Sequence, residues 1–119
     1  MKDKLKTLPT RRSDCPLACA LEIVGDKWTL VVVRDLFLGR SRYNEFLESP
    51  EGITTNILAD RLKQLERHGL VAKRPYQEKP RRFEYRLTRT GKDLWPIIRE
   101  MIAWSRKHIP GTKMLTDSR

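Results

Sequence analysis

The alternation in Arg82-Phe83-Glu84-Tyr85-Arg86-Leu87 constrains this chain more than any other feature. Successive side chains in a strand point to opposite faces. Phe83, Tyr85 and Leu87 therefore share one face, and Arg82, Glu84 and Arg86 share the other, which is the pattern of a half-buried strand. Leu70–Tyr76, just upstream, supplies a partner, and Pro75 marks that partner as an edge strand. The two pair as a hairpin with its tip at Gln77–Arg81. A lone hairpin is marginal in water, so its apolar face needs helices to lie on.

Those helices are legible on both sides. After Pro16, the residues Leu17, Ala20, Leu21 and Val24 recur at helical spacing, and Gly25 interrupts. WTLVVVRDLFLG is apolar nearly all round and reads as a buried helix closed by Gly39. Its Val31-Val32-Val33 run would suit a strand, but its length and the pair Arg34-Asp35 favour helix. Ser41 caps a short helix with Tyr43, Phe46 and Leu47. A turn at Ser49-Pro50-Glu51-Gly52 leads to Thr54, which caps a longer helix with Leu58, Leu62 and Leu65 inward and Gly69 at its end. A last helix spans Thr88 to His108, with Leu94, Ile98, Met101 and Ser105 on one stripe and Ile97, Ile102 and Trp104 widening it. Pro96 is early enough in it to be tolerated, and Pro110-Gly111 stops it. The fold class is mainly α with a small β hairpin (α+β).

At 119 residues the chain fits one domain, at 14–109, with a loose basic arm at 1–13 and a tail at 110–119. No run of apolar residues is long enough to span a membrane, and no secretory leader is visible. Two cysteines four residues apart make no disulfide framework. The expected compartment is the cytoplasm. No nucleophile with its histidine, no paired carboxylates and no phosphate loop is present, so an enzyme is not indicated. His68 and His108 are too isolated for a metal site, and no cofactor is expected.

The net charge is +10. Residues 61–92 carry +8 of it, residues 13–60 carry −4, and residues 1–12 and 93–119 carry +4 and +2. A cationic block of this kind suits a polyanion. Helix, turn, helix and basic hairpin in that order form a winged helix-turn-helix. The second helix of such a motif enters the major groove, where base edges can be told apart. With Leu58, Leu62 and Leu65 inward, Asn56, Asp60, Lys63 and Arg67 point outward, and Thr54, Thr55 and Asn56 are the base-reading candidates. Arg40 and Arg42 suit phosphates. Lys79, Arg81 and Arg82 form the basic wing, and Pro80 stiffens it. An RNA-binding module is the weaker alternative, because it would expose aromatics on the sheet, whereas Phe83 and Tyr85 face the core.

These residues also resemble a family. Cys15-Pro16, Gly25-Asp26-Lys27-Trp28, Gly52-Ile53-Thr54, Arg61-Leu62, Leu65-Glu66, Gly69-Leu70-Val71, Pro80, Tyr85-Arg86-Leu87-Thr88 and Gly91 together are similar to HxlR-type regulators, a branch of the MarR-like winged helix proteins. The resemblance covers about residues 14–108. It implies a prokaryotic transcription factor, such as a repressor, acting as a homodimer through its first and last helices. Leu17, Leu21, Leu94, Ile98, Met101, Ile102 and Trp104 are then the interface candidates. The apolar count near the end, which includes Trp95, Met101, Ile102 and Trp104, also exceeds what one small core needs. A two-fold dimer expects a pseudo-palindromic operator with half-sites on the order of 34 Å apart.

Cys15 precedes Pro16 at a helix N-terminus, where backbone N–H groups favour a thiolate. Arg11 and Arg12 add positive potential, and Asp14 opposes it. Several proteins of the resembled family sense oxidants, quinones or aldehydes through a cysteine in this region, which makes Cys15 the candidate sensor. Cys19, one turn on, suits packing against the core. The alternative signal is a non-covalent small-molecule effector seated between the dimer-forming helices and the DNA-binding domain, with Trp28, Phe37 or Trp104 lining its pocket.

Overall fold

The structure, a computed structural model, describes residues 12–114. The expected arm at 1–13 therefore lies almost wholly outside the described residues. Helix α1 (Pro16–Val24) begins at its proline, and α2 (Thr29–Phe37) follows. The start of α2 is fixed by Asp26, whose carboxylate accepts the Trp28 N–H at 3.0 Å and the Thr29 hydroxyl. Burial pushes the Asp26 carboxyl up, but bonds from Thr29, Arg61 and the Trp28 N–H outweigh it and bring the pKa down to about 2. Val32, Val33 and Leu36 of α2 are buried.

Helix α3 (Tyr43–Leu47) corrects the expected cap. Its N-cap is Arg42, not Ser41. The Glu45 carboxylate reaches back to accept the N–H groups of Ser41 at 2.7 Å and Arg42 at 3.1 Å. This is the backward reach of a capping box, with the acid at the third helical position holding the N-cap backbone at Arg42. Helix α4 (Thr55–Arg67) agrees with expectation. Thr54 caps it, its hydroxyl accepting from the Ile57 N–H at 3.3 Å, and Leu58, Leu62 and Leu65 are buried. Gly69 ends it at φ 81°, a left-handed conformation that glycine adopts freely.

Strands β1 (Val71–Glu78) and β2 (Arg81–Leu87) pair antiparallel, with Val71 opposite Leu87 and Glu78 opposite Arg81. Register slips between Pro75 and Gln77, leaving Tyr76 in a bulge. The strands run further than expected. The tip shrinks to Lys79-Pro80, joined by a cis bond, and the Gln77 side-chain amide closes it by donating to the Pro80 carbonyl at 3.0 Å.

The single last helix expected from Thr88 divides into α5 (Arg89–Lys92) and α6 (Trp95–His108). Pro96 cannot sit inside a continuous helix, so the chain restarts and places it in the first turn of α6. Thr88 locks the junction, donating to the Gly69 carbonyl at 2.6 Å and accepting from the Gly91 N–H at 3.2 Å. A Cβ on Gly91 would stand 2.1 Å from the Leu70 carbonyl oxygen, so only glycine fits there.

Ile98, expected at a dimer face, is 6% exposed and belongs to the core with Val33, Phe46, Leu58, Leu62 and Tyr85. Leu94 and Ile102 pack half-buried against that core, while Ile97, Met101 and Trp104 turn outward. At 100° per residue, with Ile98 and Ile102 inward, the other three fall together on the adjoining flank of the helix. The tail is not wholly free, since Met114 is half-buried. Among the described residues no helix is long and apolar enough to cross a membrane.

Candidate nucleic-acid interface

Thr54, Thr55 and Asn56 are exposed at the start of α4, and Lys63 is exposed a few turns along. The Thr54 oxygen is committed to its cap, so the side chains beginning at Thr55 are the freer donors and acceptors. Asp60, an awkward anion on this face, pairs with Arg61 at 2.7 Å, and Arg61 also reaches Asp26 at 2.7 Å. That bridge ties α4 to the approach of α2.

Lys79, Arg81 and Arg82 are exposed on the hairpin. The Arg81 guanidinium lies 5.5 Å from the Phe83 ring centroid, which restrains it against the strand. Arg42 projects from the N-cap of α3 and stacks on Tyr76, its guanidinium carbon 3.7 Å from the ring centroid. It also bonds Glu84 at 3.5 Å, and Arg74 bonds the other Glu84 oxygen at 2.9 Å. The Glu84 carboxyl is accordingly held below its ordinary range, by Arg74 first. One cleft between α3, α4 and the hairpin gathers Arg42, Thr55, Arg81 and Arg82. Asn56, Lys63 and Lys79 stand outside its lining.

Arg40 is a correction. Expected to hold a phosphate, it is 5% exposed and points inward. Its Nη1 donates to buried Asp35 at 3.3 Å. Asp35 also accepts from Arg34 at 2.9 and 3.1 Å and from the Ser49 hydroxyl. Arg34 grips Glu51 in turn at 2.7 and 2.9 Å. That bond holds the Glu51 carboxyl low, against the effect of its burial. The sequence offered no signal for this network, nor for Tyr76 and Glu84 as the holders of Arg42. Each joins residues that only the folded chain brings together.

Cys15 is an exposed thiol at the N-cap of α1. Arg12 pairs with Glu22 at 3.1 Å, and Arg11 lies outside the described residues. Cys19 is half-buried rather than in the core, and its thiol donates to the Ser13 carbonyl at 3.5 Å. Beside Cys15, Leu17 and Leu21 are 67% and 47% exposed. Phe37 lines a cleft with Trp95, Trp28 packs against the core, and Trp104 stands in solvent.

A capped helix after a turn, followed by a cationic two-stranded wing, defines a winged helix-turn-helix protein. The chain belongs to the HxlR-like helix-turn-helix family, whose model matches residues 23–113. It is 37% identical over 84 residues to the HTH-type transcriptional regulator sll1512 of Synechocystis sp., covering 71% of this chain and 62% of that one. The chain thus spans less than two thirds of that relative's length. The solved structure of the transcription factor PA1607 superposes with a TM-score of 0.76 at 36% identity, covering 87% of this chain and 73% of that one. The redox regulator HypR in its oxidised form gives 0.71 at 31% identity, covering 85% of this chain and all of that one. The family and these relatives are regulators of transcription, not enzymes.

Proposed function

We propose that the protein is a homodimeric transcriptional regulator that binds one duplex-DNA operator sequence-specifically in the cytoplasm. The carrying observation is the cleft that sets Thr55 of α4 beside Arg42, Arg81 and Arg82. Thr54, Thr55 and Asn56 read bases in the major groove, with asparagine suited to adenine and the threonine methyl to thymine. Lys63, Arg42 and the wing cations Lys79, Arg81 and Arg82 hold phosphates, which fixes register without reading sequence. Arg40, being buried, leaves the contact set. The RNA alternative loses ground because Tyr85 is buried and Phe83 half-buried. Leu17, Leu21, Met101 and Trp104, joined by Ile97, supply the face for a second copy. Mobility shift on the protein's own promoter tests the reading. Asn56→Ala should lower affinity for that promoter and spare binding to unrelated duplex. Equal affinity of the unaltered protein for every duplex at physiological salt would refute it.

For the signal, Cys15 is the proposed oxidant or electrophile sensor. It is exposed beside the proposed dimer face, and the similar protein HypR is named a redox regulator. Cys15→Ser should leave DNA binding intact and abolish release by diamide or quinone. A wild-type protein indifferent to both agents sinks this part alone.

A further inference from the structure

We infer that Asp60 is a specificity-determining residue of α4, whose carboxylate selects a cytosine in each half-site by accepting from its N4 amino group. This rests on the operator reading above and names one base that the operator must hold.

The first observation is direction. At about 100° per residue, the buried Leu58, Leu62 and Leu65 fall within an arc of about 60°. Asn56 and Asp60 each point within about 20° of the direction opposite that arc, and Lys63 within about 40°. All three are exposed. Asp60 follows Asn56 by four residues, so it stands about 6 Å further along the same face. A helix that offers Asn56 to base edges therefore offers Asp60 to them as well.

The second observation is charge. The Asp60 Oδ2 accepts from Arg61 Nη1 at 2.7 Å, but the Nε of the same guanidinium donates to Asp26 at 2.7 Å. One cation thus serves two carboxylates, and the trio keeps a negative charge. Asp26 ties Arg61 to the turn before α2, so Asp60 is held through one oxygen. Its Oδ1 has no partner among the described residues, and the side chain is 54% exposed.

An anion on a DNA-reading face is repelled by phosphates unless a donor meets it. In the major groove only the amino groups of cytosine and adenine donate. Guanine and thymine offer acceptors there, and adenine sets its N7 acceptor beside its amino group. Cytosine alone presents a donor with no acceptor next to it on the same base, so cytosine is the base that fits a carboxylate. One helical turn is about 5.4 Å and base pairs rise about 3.4 Å, so this cytosine lies roughly one or two pairs from the base that Asn56 reads.

The test is selection from a pool of random-sequence duplexes by the full chain, with the bound fraction sequenced. The unaltered protein should enrich cytosine at one position of each half-site. Asp60 is exposed on a helix surface, so its variants keep the fold. Asp60→Ala should reduce that preference by roughly tenfold and leave the preferences elsewhere in place. Asp60→Asn should shift the same position towards adenine, because an amide adds the donor that adenine N7 needs. An Asp60→Ala profile identical to that of the unaltered protein overturns the inference. So does a uniform gain in affinity for all duplexes, which would leave Asp60 as a repelling charge only, or a position that responds to Asp60 yet prefers another base. An unaltered protein with no base preference at all sinks the operator reading and this inference together, whereas an unchanged variant profile sinks this inference alone.

Discussion

Arg40 and Arg42 are two residues apart, and the fold gives them opposite settings. Arg42 stands in solvent on Tyr76 and Glu84, where a bound phosphate can compete for it. Arg40 is sealed beneath the motif against Asp35. The sequence read both as surface cations because both precede a short helix. The backbone separates them. The Arg40 N–H turns back to the Asp35 carbonyl at 3.0 Å, which folds residue 40 inward, whereas residue 42 sits at the N-cap and faces out. Energetics then diverge. An exposed ion pair is worth about 0–1 kcal/mol. A buried charge is tolerated only with its partners, and removing one costs far more.

The sharpest break is therefore Asp35→Ala. It strips Arg34, Arg40 and Ser49 of their shared acceptor and should cost about 3–5 kcal/mol in urea denaturation. A loss below about 1 kcal/mol would erase the contrast between the two regions. On the exposed side, combining Lys79→Gln, Arg81→Gln and Arg82→Gln should leave stability nearly unchanged but weaken operator binding. The slope of log K against log salt should become shallower by up to roughly 3. Unaltered binding would remove the wing from the interface. Arg42→Ala should change stability by less than about 1 kcal/mol and flatten the same slope by about 1. A large stability loss would mean that Arg42 behaves as Arg40 does.

The mildest effect is a matter of pH. Asp26 sits between the two settings, partly exposed yet bonded to Arg61 and Thr29, with its carboxyl lowered from an ordinary 3.8 to about 2. A depressed carboxyl stabilises the fold above its unfolded pKa. That contribution is present above about pH 4 and is lost as pH falls towards about 2. Asp26→Asn should flatten the stability profile in that window, and an unchanged profile would refute the role assigned to it.

Local chemistry was what the sequence revealed well. The cap at Thr54, the stop at Gly69, the leucine face of α4 and the alternation in β2 are each decided within a few residues, so each was legible. The exposure of Asn56 and Lys63 followed from helix phase, and that of Lys79, Arg81 and Arg82 from the cationic hairpin tip; these are the residues of the proposed interface. What failed was non-local. Ile98 faces the core because α6 docks with its Leu94–Ile98–Ile102 face on the helix-turn-helix motif, and periodicity alone does not say what an apolar face packs against. Arg40 turns inward because of an acid five residues back on another element. Tyr76 and Glu84 matter because a bulge and a register bring them under Arg42. Periodicity cannot report contacts that exist only once the turn and the hairpin have docked.

The bond from the Tyr85 N–H to the Ser41 carbonyl has a mechanical consequence. It pins the hairpin near its base, and beyond it the exposed stack of Arg42 on Tyr76 is the hold nearest the tip, so the hairpin can pivot as a lever about Ser41. Four residues separate Tyr85 from Arg81, an arm of roughly 13 Å at a strand's rise per residue. A rotation of about 10° at the fulcrum therefore moves the wing cations by roughly 2 Å, enough to make or lose a hydrogen-bonded phosphate. Small adjustments around Ser41 are thus magnified at the wing cations.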